Sequence, residues 1–140
     1  MRRARPLKLV VDVNVLVSWL IGRKLAGIDP ALSSERFVLV MSPSYLEELE
    51  DVIARPHLRK YFTLERAVEA MMLLRDTALI LDRDPSIKAI SRDPKDDYLL
   101  AIAAAAKADL LISGDKDLLV LERFKKTRIL TPGVFMREFL

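Results

Sequence analysis

Four short acidic words punctuate this chain: Val10-Val11-Asp12-Val13-Asn14, Leu46-Glu47-Glu48-Leu49, Asp96-Asp97-Tyr98-Leu99-Leu100 and Ser113-Gly114-Asp115-Lys116-Asp117. Oxygen donors drawn from separate segments are what a hard divalent cation binds. Such a cation activates water and polarises phosphate in phosphodiester hydrolysis. The candidate catalytic ligands are Asp12, Glu48, Asp97 and Asp115, around one or two such cations. Asp12 is the firmest, because a carboxylate that closes an apolar run needs a partner and a cation supplies one. Asn14 lacks the charge of a ligand; its amide suits orienting Asp12 or a bound water, or a simple turn. Ser113 and Asp117 flank Asp115 in supporting positions, and Asp117 reads slightly better as the cap of a following helix than as a ligand.

Helical spacing separates neighbours within the second word. Glu48 stands between Tyr45 and Val52 at the rim of an apolar face, whereas Glu47 aligns with Glu50 and Asp51, or completes a Ser44-x-x-Glu47 capping box. In the third word, consecutive helical residues point about 100° apart, so Asp96 and Asp97 cannot serve one metal position equally. Asp93, just before Pro94, is the natural helix cap there.

Other chemistries fit less well. The chain has no cysteine, which excludes disulfides, thiolate catalysis and Cys-held metals. Its four glycines, Gly22, Gly27, Gly114 and Gly133, form neither a P-loop nor a dinucleotide fingerprint. His57 is the one histidine, and Arg55-Pro56-His57-Leu58-Arg59 reads as surface, so paired-histidine catalysis through a 2′-hydroxyl has no candidates. A haloacid-dehalogenase-like phosphatase would share a word such as Gly114-Asp115-Lys116-Asp117. It needs an acid two residues after its nucleophilic Asp, and Asn14 stands there.

The elements that must position these residues follow from the apolar pattern. Leu7 to Val13, Phe37 to Met41, Ala78 to Leu81, Leu110 to Ile112 and Arg128 to Leu130 read as strands. Between them, Val15 to about Ala26, a segment opened by Pro43, Leu64 to Thr77, Pro94 to about Lys107 and Leu118 to about Arg123 read as helices. The face of the Leu64 helix is Ala67, Val68, Met71, Met72 and Leu74. Alternation of strand and helix calls for a three-layer α/β/α sandwich with a mostly parallel five-stranded sheet, read here in a 3-2-1-4-5 order, which would make the first and fourth strands neighbours where the order reverses. In such a sheet ligands gather beyond the carboxyl ends of strands where the order reverses. Asp12 and Asp115 fall there, with Glu48 and Asp97 early in helices on the same edge.

At 140 residues the chain is read as one domain, 1–140, large enough for its own core. With 51% hydrophobic and 31% charged residues it reads as soluble, and no apolar run approaches the roughly 20 residues that cross a bilayer. Met1 to Pro6 is basic but no signal peptide follows, so a cytoplasmic protein without a membrane partner is expected. The net charge of +3 is small. Basic residues nevertheless gather at Arg2, Arg3, Arg5 and Lys8, at Arg55, Arg59 and Lys60, and at Arg123, Lys125, Lys126 and Arg128, where they either bind phosphates or are solvated at helix ends. Trp19 and Leu20 suit core and interface equally.

Asp12-Val13-Asn14, Glu48-Leu49, Asp97 through Ala101 and Gly114-Asp115-Lys116-Asp117-Leu118 resemble, in order, the motifs of the PIN-domain ribonucleases. The likeness is greatest to the small stand-alone prokaryotic group regarded as toxins of toxin–antitoxin systems, and runs from Leu9 to Leu130-Thr131-Pro132. Val13 departs from the Thr common at that position. The resemblance implies Mg²⁺- or Mn²⁺-dependent cleavage of single-stranded RNA, a homodimer, and an antitoxin that occludes the acidic cleft. Its register favours Asp97 over Asp96. The rival from another class is a PIN-like module that binds RNA or protein without cutting; the intact acidic quartet weighs against it.

Overall fold

Short, wholly apolar runs become strands where both faces of a sheet are covered. The computed structural model describes residues 5–22, 36–86 and 94–140. The strands are β1 (Leu7–Val11), β2 (Phe37–Met41), β3 (Leu79–Ile80), β4 (Leu110–Ile112), β5 (Arg123–Phe124) and β6 (Thr127–Leu130). They form one sheet ordered β3-β2-β1-β4-β6-β5, parallel except for β5, which runs antiparallel to β6. Around it lie α1 (Val13–Ile21), α2 (Pro43–Ile53), α3 (Leu64–Thr77), α4 (Pro94–Ala106), α5 (Lys116–Leu119) and α6 (Pro132–Phe139), with a 3-10 turn at Pro56–Lys60.

The predicted α/β architecture and the reversal of order between β1 and β4 are both present. One strand is added to the expected five. Glu122 and Lys125 take left-handed φ values of 59° and 52°, which turn Arg123–Phe124 back along β6. The helix expected from Leu118 to Arg123 is therefore confined to Lys116–Leu119.

Caps set the other boundaries. Asp12 ends β1 two residues before the expected Val13 because its Oδ1 accepts the Asn14 N–H at 3.0 Å and so caps α1. Ser42 caps α2 through the Tyr45 N–H at 3.2 Å, with Pro43 in the first turn. The Ser44–Glu47 box is not formed, since Asp84 instead takes the Ser44 N–H at 3.0 Å and its hydroxyl at 2.6 Å. Helix α6 was not foreseen, although Thr131 and Pro132 are start signals; the Thr131 Oγ1 accepts the Val134 N–H at 3.1 Å. Helix α1 stops at Ile21 with Gly22 as its cap, short of the expected Ala26. The Asp93 cap, the loop beyond residue 86, Arg2, Arg3 and the Asp96 side chain lie outside the described residues.

The core joins β1, β2 and β4 to the inner faces of the helices, among them Leu16, Leu49, Leu74, Leu100 and Ile102. Trp19 is buried against Phe135 of α6, ring centroids 6.2 Å apart, so it belongs to the core. On α3 the buried stripe is Ala67, Met71 and Leu74, at spacings of four and three. Val68 and Met72, expected on that face, are instead 51% and 60% exposed.

Candidate metal centre

Strand register places the first two acids. Val11 of β1 pairs with Ile112 of β4, so the next residues, Asp12 and Ser113, emerge side by side at the carboxyl edge where strand order reverses. The Asp12 N–H completes the ladder to the Ile112 carbonyl at 2.9 Å. Ser113, fully buried, donates its hydroxyl to Asp12 Oδ2 at 2.9 Å and accepts the Asp115 N–H at 3.0 Å. One hydroxyl thus fixes both acidic segments. Asp115 also caps α5 by accepting the Asp117 N–H at 2.8 Å; the cap is Asp115, and Asp117 lies in the first turn. Asn14 meets Asp12 through its backbone N–H and not through its amide.

The second pair comes from α2 and α4. Tyr98 donates its hydroxyl to Glu48 Oε2 at 2.7 Å. One turn before Glu48, the buried Tyr45 donates to the Val11 carbonyl at 2.5 Å, which ties α2 to the end of β1. Burial pushes both phenols well above the usual tyrosine range. The charges of Asp12 and Glu48 push Tyr45 further in the same direction; for Tyr98 the Glu48 hydrogen bond is the second cause, with charge on Glu48, Tyr45 and Asp12 following. Both phenols therefore stay protonated donors, and the two acids act on a common neighbourhood. Neither tyrosine was singled out in the sequence as more than an apolar-face or helix residue.

Asp97 is buried, 3% exposed, in the first turn of α4. Among the described residues no Lys or Arg forms an ion pair with Asp12, Glu48 or Asp115. Hard oxygen donors with uncompensated charge suit a divalent cation. Among the described residues, no three Asp, Glu or His side chains stand close enough together to hold one ion as they are placed here. The acids are thus presented as two fastened groups, Asp12 with Asp115 and Glu48 with Tyr98. Beside the first group opens a groove of about 440 Å³.

The basic clusters lie elsewhere. Arg5 and Lys126 pair with Asp109 at 3.3 and 3.6 Å, before the first residue of β4, while Lys8 Nζ donates to the Ala106 carbonyl at the end of α4. These are at the amino edge of the parallel strands, away from the acids. Arg59 donates to the Ile53 carbonyl at the end of α2 and lies over the Phe62 ring, a structural role. His57 is exposed in the 3-10 turn beyond α2.

A family model described as PIN domain matches residues 8–117, which include all four acidic words. The chain belongs to the PIN-domain family. PIN domains are generally nucleases and typically use divalent metals, and this chain has their α/β fold with a mostly parallel sheet. No curated protein matches it. Among the described residues of this PIN domain no helix is long and apolar enough to cross a membrane.

Proposed function

We propose that this PIN domain is a Mg²⁺- or Mn²⁺-dependent endoribonuclease that hydrolyses single-stranded RNA. The observation that carries the reading is the fastening of Asp12 and Asp115 to one Ser113 hydroxyl at the β1–β4 reversal, with no cationic side chain among the described residues to neutralise them. Asp12 and Asp115, fastened side by side at the reversal, would hold the cation first, and Glu48 and Asp97 from α2 and α4 would complete its ligands once it is bound. When bound, it supplies an activated water and charge neutralisation at the scissile phosphate. The chain's own groups prepare for this: Ser113 fixes the direction of the Asp12 carboxylate, Tyr98 holds Glu48, and Tyr45 anchors α2 to β1. Motif resemblance to the stand-alone prokaryotic group extends the proposal to the toxin of a toxin–antitoxin pair, working as a cytoplasmic homodimer whose antitoxin covers the acidic cleft.

A second reading, a PIN domain that binds RNA or protein without cutting, draws on the separation of the acids into two groups. Labelled single-stranded RNA incubated with the purified protein, with Mn²⁺ or with chelator, separates the two. Cleavage is expected in Mn²⁺ only, and Asp12→Asn, which removes charge and keeps shape, is expected to lower the rate by about 100-fold or more. Binding without metal-dependent cleavage would give the place to the second reading.

A further inference from the structure

The groove beside Asp12 and Asp115 has a composition that says what can enter it. Among the described residues its wall includes those two carboxylates and no Lys or Arg, so it offers no cationic side chain to a second phosphate and suits an uncharged unit. Asn14 and Ser18 stand one turn apart on α1, both exposed to it. Among the described residues neither the Asn14 amide nor the Ser18 hydroxyl has a hydrogen-bond partner, leaving donors and acceptors turned toward the opening. Opposite, Gly114 faces open space: a Cβ built on it would meet nothing within 4 Å. Pro132 adds an apolar wall, and about 440 Å³ is within the range of small-molecule sites.

We infer that this groove holds the ribonucleoside next to the scissile phosphate, with Ser18 and Asn14 hydrogen-bonding its sugar and base edge and Pro132 covering an apolar face. The inference rests on the proposed ribonuclease activity and adds the path that the strand takes away from the acids. Ser18 is on the solvent face of α1, so its replacement leaves the core untouched.

The test is steady-state cleavage of a short labelled single-stranded RNA in Mn²⁺ by wild type, Ser18→Ala and Ser18→Leu, with a parallel Mn²⁺ titration of each protein and a melting curve to check its fold. Loss of contacts to the bound strand should raise KM by about tenfold in Ser18→Leu and a few-fold in Ser18→Ala, with kcat and Mn²⁺ affinity held. Wild-type KM in both variants, beside a wild type that cuts, would overturn the groove alone. A loss that follows kcat or Mn²⁺ affinity would overturn it too, by making Ser18 a support of the metal centre. A wild type that cuts no RNA in any metal would overturn the proposed activity, and this inference with it.

Discussion

The two edges of the sheet treat carboxylates in opposite ways. At the amino edge Asp109 accepts the Lys8 N–H at 2.8 Å and draws in Arg5 and Lys126, so that its charge is neutralised within the protein. At the carboxyl edge Asp12, Glu48 and Asp115 are held by a serine hydroxyl, a tyrosine hydroxyl and backbone N–H groups, all neutral donors. Neutral donors orient a carboxylate without cancelling its field. The difference teaches that acids alone do not mark a site; their partners do. A carboxylate matched by the chain's own cations is spent on the fold, whereas one that is oriented and left charged remains available to a cation from outside.

The sharpest way to break this contrast is to remove a neutral donor. Tyr98→Phe keeps the ring and loses only the hydroxyl that holds Glu48. It should weaken Mn²⁺ binding by about tenfold with the melting temperature nearly unchanged, as seen by titration of the free ion; intact affinity would show that Glu48 needs no holding. At the other edge, Asp109→Ala should do the reverse. It strands the Lys8 N–H and two cations, and about 1–2 kcal/mol of stability should disappear in a urea titration while Mn²⁺ affinity stays. A change in Mn²⁺ affinity there would erase the distinction between edges.

The smallest effect concerns Asp84. Donation from the Ser44 hydroxyl and N–H holds its carboxyl below the usual aspartate range, and the group is exposed. A depressed folded-state value means that the ionised group adds stability above the unfolded-state value, and that the gain is lost as pH falls through the folded one. The gap in melting temperature between wild type and Asp84→Asn should therefore close on acidification. A gap independent of pH would mean that the charge on Asp84 adds nothing to stability at α2.

Much of this was legible in the sequence where apolar runs meet unambiguous punctuation. Phe37–Met41 stops at Ser42-Pro43, Leu110–Ile112 stops at Ser113-Gly114, and both strands have the predicted bounds. Leu64–Thr77 was readable as a helix, but its buried side was not, because Val68 and Met72 are as apolar as Met71 and only packing against the sheet chooses between them. The β5–β6 turn was hidden because two residues have no period and the left-handed turn is made by Lys125, not glycine. Within the candidate centre, positions along the chain indicated which acids share an edge. The partners were out of reach: that Asp115 caps α5 in place of Asp117, or that the Tyr98 hydroxyl reaches Glu48 while its ring packs against the core, depends on rotamers and on how α2 and α4 meet.

The ends of the sheet carry a consequence for how copies of this protein meet. Among the described residues the sheet stops on one side with β3, two residues long, and on the other with β5, also two residues and reversed in direction. A flank that short offers too few unpaired backbone groups to template another strand, which is how natural sheets keep from growing into fibrils. Crowding this protein should therefore extend the sheet from molecule to molecule poorly, and side chains meeting side chains are the better route to an assembly.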